Sequence, residues 1–397
     1  MDRTRRDRPP RLCPYIREES DAFVRPFRHR QPACPPAGRL CHPGTYRQSA
    51  HGTRTGRRTD AGAHRAPASK PLPQLDAAAA VANWQAQQQV RIQTLNDSSK
   101  ALYRDMDTLC QRKSPATIDA ARLAWQQTYL AWRALEALPM GPIMSRRTAW
   151  QIDVWPTKLE KVEEAVRLVQ PDAAIADSVG AAAQGLPALE YLLWGDDRAK
   201  AQMGRLQFRK RCQYAEALAA DIVAETDGLV KDWRLYAKTP LDADSGRQQF
   251  EDAVNLIAGS MENLRDKKMA RLGSNKLVKK TGRQDFDAWR SKNTRAGLDA
   301  SLDALESLFF SSQNGPSFAD RLGQAGKPLL VRHLKDEFAT AAKLLGKLPE
   351  DMATSLANNP AAGQALLDSL KRLQGLVELQ VADAVGVTIG FKDSDGD

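Results

Sequence analysis

The spacing of apolar residues constrains the fold of this chain more than any other feature of its sequence. From about residue 76 onward, apolar side chains recur every three or four positions, which places them along one face of a helix. Residues 250–264 show this most regularly, and the same spacing occurs in residues 115–138, 214–233, 298–309 and 366–377. Only GVTIGF, residues 386–391, alternates like a strand. We therefore expect an all-α fold built from antiparallel helical bundles.

A polar break, YAKTPLDADSG at residues 236–246, follows a long predicted helix and divides the helical region in two. It predicts a first bundle at residues 76–238 and a second bundle at residues 246–390. Two shorter segments, SSQNGPS (311–317) and LPED (348–351), are typical of turns between helices.

The net charge of +10 is confined to the beginning of the chain. Residues 1–70 hold 16 of the 58 basic residues and 6 of the 48 acidic ones, so the remaining residues carry no net charge. A helical domain that binds nucleic acid would itself carry an excess of basic residues. The sequence therefore predicts no nucleic-acid partner for the helical region.

Residues 1–70 are rich in Arg, Pro, Gly and His and show no apolar periodicity, so we expect them to be disordered. They contain no apolar stretch long enough for a signal peptide, and no part of the chain is apolar enough to span a membrane. Two interpretations stay open. In the first, residues 1–70 are a genuine basic tail. In the second, the start of the protein was assigned wrongly, and an out-of-frame translation stands in place of the real leader.

Reactive side chains are scarce beyond residue 70, where only Cys110, Cys212 and His333 remain. Two cysteines about a hundred residues apart are more often buried thiols than a bridge, so we expect thiols and infer no redox compartment. A single histidine excludes a His-Glu-x-x-His zinc motif. No Cys-x-x-Cys pair, Gly-rich phosphate loop or Gly-x-Ser-x-Gly elbow occurs. His333, beside charged neighbours, is predicted to be a solvated or capping residue.

A lone carboxylate, Glu190, lies in the apolar segment GLPALEYLLWG at residues 185–195. Gly185 permits a tight entry, and Pro187 suits the first turn of a helix, where its missing N–H would have no partner. Glu190 then lies about one turn into the helix, where the helix dipole favours a carboxylate by about 0.3–1 kcal/mol. It is therefore either a helix-stabilising residue or part of a site.

A second acid, Asp153, lies between large apolar residues in the long connection at residues 138–157, which contains three prolines. Connections of this length often carry function. Asp153 precedes Trp155 by two positions and is either a helix-entry cap or one wall of a site.

Four segments in the same order resemble the imelysin family of bacterial envelope proteins. They are the aromatic helix AWQQTYLAWRAL followed by Gly141-Pro142, then IDVWPT, GLPALEYLLWG and the ending GVTIGFKDSDGD. The resemblance spans residues 76–397. It implies two helical bundles with a cleft between them, a periplasmic or envelope location in a Gram-negative bacterium, and a link to iron uptake. It also implies other envelope iron-uptake proteins as partners.

The family motif Gly-x-His-x-x-Glu is only partly present. Gly185 and Glu190 match it, but Pro187 stands in the place of the histidine. Proline offers no nitrogen ligand, and zinc sites in proteins nearly always use His or Cys. The resemblance therefore implies binding rather than peptide hydrolysis. Glu190 and Asp153 would form an oxygen-only site for a hard cation such as iron or calcium.

The resemblance also implies which residues line the cleft. An arginine facing it would hold a carboxylate-bearing ligand with its bidentate fork, whereas on the surface it would only be solvated. The acids Asp393, Asp395 and Asp397 resemble the opening of a calcium loop, with a solvated acidic tail as the alternative. The residues predicted to bind the ligand are Arg146, Asp153, Trp155, Gly185, Glu190 and Arg295.

Three functions stay open on the sequence. The first is an imelysin-like envelope protein that binds a metal, a metal chelate or a small acidic ligand without catalysis. The second is a metallopeptidase of imelysin type, and the third is a structural or partner-binding helical module. Metal-dependent binding distinguishes the first from the third, and chelator-sensitive peptidase activity would indicate the second.

Overall fold

A computed structural model describes residues 75–169, 179–196, 201–266 and 282–390. The predicted disordered segment at residues 1–70 and the acids Asp393, Asp395 and Asp397 lie outside these ranges. The described α-helices are α1 (Ala77–Gln111), α2 (Pro115–Leu135), α3 (Pro142–Ser145), α4 (Thr148–Ile152), α5 (Leu159–Leu168), α6 (Gly185–Trp194), α7 (Gln202–Arg205), α8 (Arg209–Tyr236), α9 (Ala243–Asp266), α10 (Thr294–Phe310), α11 (Phe318–Gln324), α12 (Pro328–Gly346), α13 (Met352–Asn358), α14 (Gln364–Gly375) and α15 (Ala382–Val385).

The all-α prediction is confirmed, because the described residues contain no strand. The strand-like alternation of GVTIGF does not produce a strand in its described part, because residues 387–390 form neither helix nor strand. A π-helical segment, Leu376–Val381, and three short 3₁₀ helices, Ala181–Ala183, Arg283–Asp285 and Pro360–Gly363, complete the described secondary structure.

Local side chains explain where several helices begin. Asp76 accepts a hydrogen bond from the backbone N–H of Ala79 at 3.0 Å and caps α1. Ser114 and Thr117 bond each other's backbone N–H groups ahead of α2, and Pro115 occupies its first turn. These contacts satisfy N–H groups that the helix itself leaves without acceptors.

The hydrophobic core runs through both halves of the helical region. Helix α1 packs against α2, α8 and α9, and α2 packs against α10. The apolar residues that the helical spacing singled out lie in this core, which is also filled by large aromatic side chains such as Trp84, Trp125, Trp132 and Trp233. The predicted break between two long helices is present between Tyr236 and Ala243. The division into two bundles at that point stays a prediction.

The expectation of two free thiols is wrong. Cys110, in the last turn of α1, and Cys212, in the first turn of α8, form a disulfide with their Cα atoms 5.6 Å apart. Their separation of 102 residues gave no signal of this pairing, because only the antiparallel packing of α1 against α8 brings their ends together. None of the helices described above is long and apolar enough to cross a membrane.

Candidate functional site

Helix α6 begins in direct contact with the end of α4. Gly185 has φ +72°, and a Cβ atom there would lie 2.2 Å from the carbonyl oxygen of Ile152. No side chain fits in that space, so glycine is required by both conformation and contact. Trp125 of α2 donates from its indole N–H to the carbonyl oxygen of Leu186 at 2.9 Å. The predicted site segments around residues 153 and 190 are therefore neighbours through backbone contact.

Glu190 lies inside the protein, with 2% of its surface exposed. Its Oε1 accepts hydrogen bonds from the backbone N–H of Ser291 at 2.8 Å and from the Ser291 hydroxyl at 2.7 Å. The pKa of Glu190 is raised to about 7, because burial and, to a smaller extent, the charge of Asp287 outweigh the opposing effects of the Ser291 hydrogen bonds and the charge of Arg290. The Glu190 carboxyl group is therefore close to half ionised at neutral pH.

The helix-dipole interpretation does not account for this environment. The dipole favours a carboxylate by about 0.3–1 kcal/mol. Raising the pKa of Glu190 from 4.5 to about 7 corresponds to about 3 kcal/mol against its ionised form. Burial therefore dominates, and a simple helix-stabilising residue would be more favourable on an exposed face.

A second buried group of charges surrounds Arg133 of α2, which is 1% exposed. Its guanidinium group forms ion pairs with Glu136 at 2.7 Å, with Asp287 at 3.1 Å and with Asp153. Tyr129, one turn earlier on α2, donates to the same Asp287 oxygen at 3.0 Å. We call Tyr129, Arg133, Glu136, Asp153 and Asp287 the Arg133 cluster.

The Arg133 cluster carries more negative than positive charge, with three carboxylates and one guanidinium group. Burial alone would lower the pKa of Arg133, but the charges of Asp153, Glu136 and Asp287 raise it above its ordinary value. The arginine is therefore firmly charged. Asp287 also contributes to the raised pKa of Glu190, so the cluster and Glu190 interact electrostatically.

Asp153 follows the last residue of α4, and its backbone N–H donates to the carbonyl oxygen of Ala149. It ends a helix rather than beginning one, so the helix-entry cap is not its role. Its Oδ2 accepts from Arg133 and from the indole N–H of Trp132 at 3.1 Å. Two consecutive residues of α2 therefore orient this carboxylate.

The two predicted metal ligands, Glu190 and Asp153, have separate sets of partners. The Glu190 Oε1 and the Asp153 Oδ2 already accept hydrogen bonds from Ser291 and from Arg133 and Trp132. In the part of the chain that the structure describes, no three His, Cys, Asp or Glu residues are grouped so as to hold a metal ion. Oxygen donors suit a hard cation, but these side chains as arranged do not fit a bare one. Metal ligation by Glu190 and Asp153 stays a prediction.

The two predicted ligand-binding arginines contact other parts of the protein. Arg146 pairs with Glu225 at 2.7 Å and with Asp232 at 2.6 Å on α8. Arg295 donates to the carbonyl oxygen of Leu348 at 2.8 Å. These contacts connect helices within the fold, and a ligand-binding role for either arginine stays a prediction.

Trp155 is half-buried in the connection between α4 and α5, and its peptide bond to Pro156 is cis. Its predicted contact with a ligand also stays a prediction. Sequence reasoning did not single out Arg133, Asp287 or Ser291. Arg133 had a usable signal, because it is the one charged residue in the aromatic segment AWQQTYLAWRAL. No sequence signal pointed to Asp287 or Ser291, because both lie far along the chain from Arg133 and Glu190.

Comparisons with known proteins agree with this architecture. The Imelysin family model matches residues 80–381. Iron-regulated protein A of Synechococcus elongatus is 24% identical over 270 residues, which are 65% of this chain and 71% of that protein.

Two solved structures share the fold. An imelysin-like protein from Psychrobacter arcticum 273-4 has a TM-score of 0.67 at 20% identity, covering 81% of this chain and 100% of that one. A putative iron-regulated protein A precursor from Parabacteroides distasonis ATCC 8503 has a TM-score of 0.63 at 15% identity, covering 78% of this chain and 95% of that one. At these identities the structures support the helical fold alone. The match of the family model over residues 80–381 covers well over half of the sequence, and the chain therefore belongs to the imelysin family.

Proposed function

We propose that this chain is a non-catalytic envelope protein, linked to iron uptake, that binds a small ligand beside Glu190 and the Arg133 cluster. The buried carboxyl group of Glu190 carries the proposal. Ionisable groups with strongly shifted pKa values are concentrated at functional sites, and a purely structural position would favour an apolar residue. The neighbouring buried acids and Arg133 supply further polar groups.

We expect a metal chelate or a small acidic molecule as the ligand, and an acidic ligand would accept a hydrogen bond from the protonated form of Glu190. A bare ion would compete with Arg133 and Ser291 for the carboxylate oxygens described above. A chelate brings most of its own ligands and needs only hydrogen bonds and a few charges from the protein. Iron is the metal we expect, since one relative and one structural neighbour are named iron-regulated protein A.

An envelope location is supported by the disulfide between Cys110 and Cys212. Disulfides persist in oxidising compartments such as the periplasm and are rare in the cytosol. The family membership points in the same direction. Other envelope iron-uptake proteins are the partners that we expect.

Peptide hydrolysis is the less favoured alternative. Pro187 is buried in the first turn of α6, at the place of the motif histidine. His333, the one histidine beyond residue 70, lies exposed on α12. A histidine that could act as a zinc ligand is therefore missing beside Glu190 among the residues described. The third alternative is a structural module in which Glu190 and the Arg133 cluster only connect helices.

Calorimetric titration of the full chain with ferric citrate, zinc and calcium tests the proposal. The parent is compared with Glu190→Ala and with Glu164→Ala, an exposed glutamate that serves as the control. We expect saturable heat with ferric citrate in the parent and in the control, and its loss in Glu190→Ala. No binding by any of the three proteins would support the structural alternative, whereas equal binding in all three would mean that the ligand does not bind through Glu190. Peptidase activity that a chelator abolishes would support the metallopeptidase alternative.

A further inference from the structure

Three guanidinium groups surround the ring of Tyr191, the residue that follows Glu190 on α6. The guanidinium carbons of Arg205, Arg211 and Arg290 lie 5.7, 5.4 and 5.5 Å from the ring centroid. The carboxylate of Glu163, on α5, lies between two of these arginines. We call Tyr191, Glu163, Arg205, Arg211 and Arg290 the Tyr191 cluster.

The Glu163 side chain is held by contacts of the kind that bind the carboxylate group of a ligand. Its Oε1 accepts from the Tyr191 hydroxyl at 2.6 Å, from Arg205 at 2.6 Å and from Arg211 at 2.8 Å. Its Oε2 accepts from the same Arg211 nitrogen at 3.0 Å. Arginine forks and a hydroxyl group are the usual means by which proteins recognise carboxylates.

The hydrogen-bonding capacity of the Tyr191 cluster exceeds what Glu163 uses. Arg211 is 3% exposed, and its Nε and Nη2 donate to no acceptor among the residues that the structure describes. Buried donors without acceptors are costly. Arg290 pairs with Asp196 at 2.8 Å and its charge also acts on Glu190, so the unused buried donors of the cluster in the described structure are those of Arg211. An additional anionic oxygen would therefore be stabilised here.

The cluster can be reached from solvent on the side of α5 and α7. The side chains of Glu163 and Arg205 are 31% and 38% exposed, whereas that of Arg211 is 4% exposed. Helix α5 lies near the surface, with Val162 and Ala165 as the two buried residues among its ten, and Leu159 and Val166 partly buried against the core. Displacing the Glu163 carboxylate therefore needs little change in the core.

We propose that the Tyr191 cluster is a binding site for a small carboxylate ligand, and that Glu163 holds the place of the ligand's carboxylate in the free protein. The incoming carboxylate displaces Glu163 and accepts hydrogen bonds from Arg205, Arg211 and the Tyr191 hydroxyl. This inference rests on the proposed function, because it names the chemical group through which an acidic ligand or a carboxylate chelate binds.

Titration of the full chain with iron-free sodium citrate tests the inference. Glu163→Ala removes the internal competitor and is expected to tighten citrate binding about tenfold or more. Glu164→Ala, one residue further along α5 and paired only with Lys161 in the described structure, is the matched control and is expected to bind like the parent. Arg205→Met is chosen because its partly exposed side chain can be replaced without opening the core. In the Glu163→Ala background it is expected to abolish the gain.

Equal citrate affinity in Glu163→Ala and Glu164→Ala would overturn the inference, as would a gain that persists after Arg205→Met. Far-ultraviolet circular dichroism confirms that each variant is folded. If Glu190→Ala abolishes ferric citrate binding while the Glu163 variants leave citrate affinity unchanged, the proposed function stands and this inference fails. If the citrate pattern holds while Glu190→Ala has no effect, the Glu190 site fails and the carboxylate site stands.

Discussion

Replacing Glu190 by Gln should make the protein more stable at alkaline pH and leave its stability unchanged in acid. Gln has nearly the same shape as a protonated Glu and presents an oxygen to Ser291 in the same place. It cannot ionise. The difference in unfolding free energy between the two proteins therefore reports the cost of ionising this one buried carboxyl group.

The magnitude follows from the pKa of Glu190 in the two states. The group titrates at its ordinary value of 4.5 when unfolded and at about 7 when folded. Below pH 4.5 it is protonated in both states and contributes nothing to the difference. Between these values the folded state binds more protons, so the parent loses about 1.4 kcal/mol of stability per pH unit relative to the variant. Above pH 7 the loss of stability levels off at about 3 kcal/mol. Relaxation of the structure around the charged group makes the loss smaller than this value.

Urea unfolding followed by tryptophan fluorescence at pH 4.5, 5.5, 7 and 8.5 measures this difference. The buffers should contain no carboxylate, because a carboxylate ligand would stabilise the folded state by binding. A difference between parent and Glu190→Gln that is the same at pH 4.5 and pH 8.5 would refute the reasoning. Such a result would mean that Glu190 is either solvated or fully compensated by Ser291 and Arg290.

Glu163→Gln serves as a control of opposite sign. Burial on its own would raise the pKa of Glu163, but the hydrogen bonds and charges from Tyr191, Arg211 and Arg205 lower it to about 2. Its ionised form therefore stabilises the folded protein above pH 4.5, and this stabilisation is lost as the pH falls toward 2. Glu163→Gln should accordingly be less stable than the parent at pH 7, and the deficit should shrink in acid.

Three further substitutions test the structural claims by urea unfolding at pH 7. Arg133→Met removes the buried guanidinium group that pairs with three carboxylates and should cost about 3–5 kcal/mol; a loss under 1 kcal/mol would indicate that water reaches the cluster. Gly185→Ala places a Cβ against the carbonyl oxygen of Ile152 and should cost more than the roughly 1–2 kcal/mol of a left-handed alanine alone; an unchanged midpoint would contradict the close contact. Cys110→Ser opens a loop of about a hundred residues and should cost about 2–5 kcal/mol. Reductant should destabilise the parent and leave this variant unchanged, whereas an equal response of both proteins would argue against the disulfide.

The helices were predictable because their signals are local. A spacing of three and four residues along a segment such as 250–264 indicates which face of the helix is apolar. This inference needs no knowledge of the helix that packs against it. The position of Pro187 in the first turn of α6 followed from backbone chemistry in the same way. The family resemblance was likewise visible because it depends on short segments in order.

The candidate site was only partly predictable. Glu190 and Asp153 were found because an acid in an apolar segment is conspicuous. Their partners were not, since Ser291 lies 101 residues after Glu190 and Asp287 lies 154 residues after Arg133. A hydrogen bond between residues so far apart leaves no periodic trace in the sequence.

The sequence by itself determined the helical fold class, the family and two of the acids that reach the site. The tertiary structure decided the pairing of Cys110 with Cys212, the engagement of Asp153 by Arg133 and the burial that moves the pKa of Glu190. The physical reason is the range of the interactions. Helix formation depends on neighbours within a few positions, whereas charge, burial and disulfide bonding depend on distances that exist only after the helices have packed.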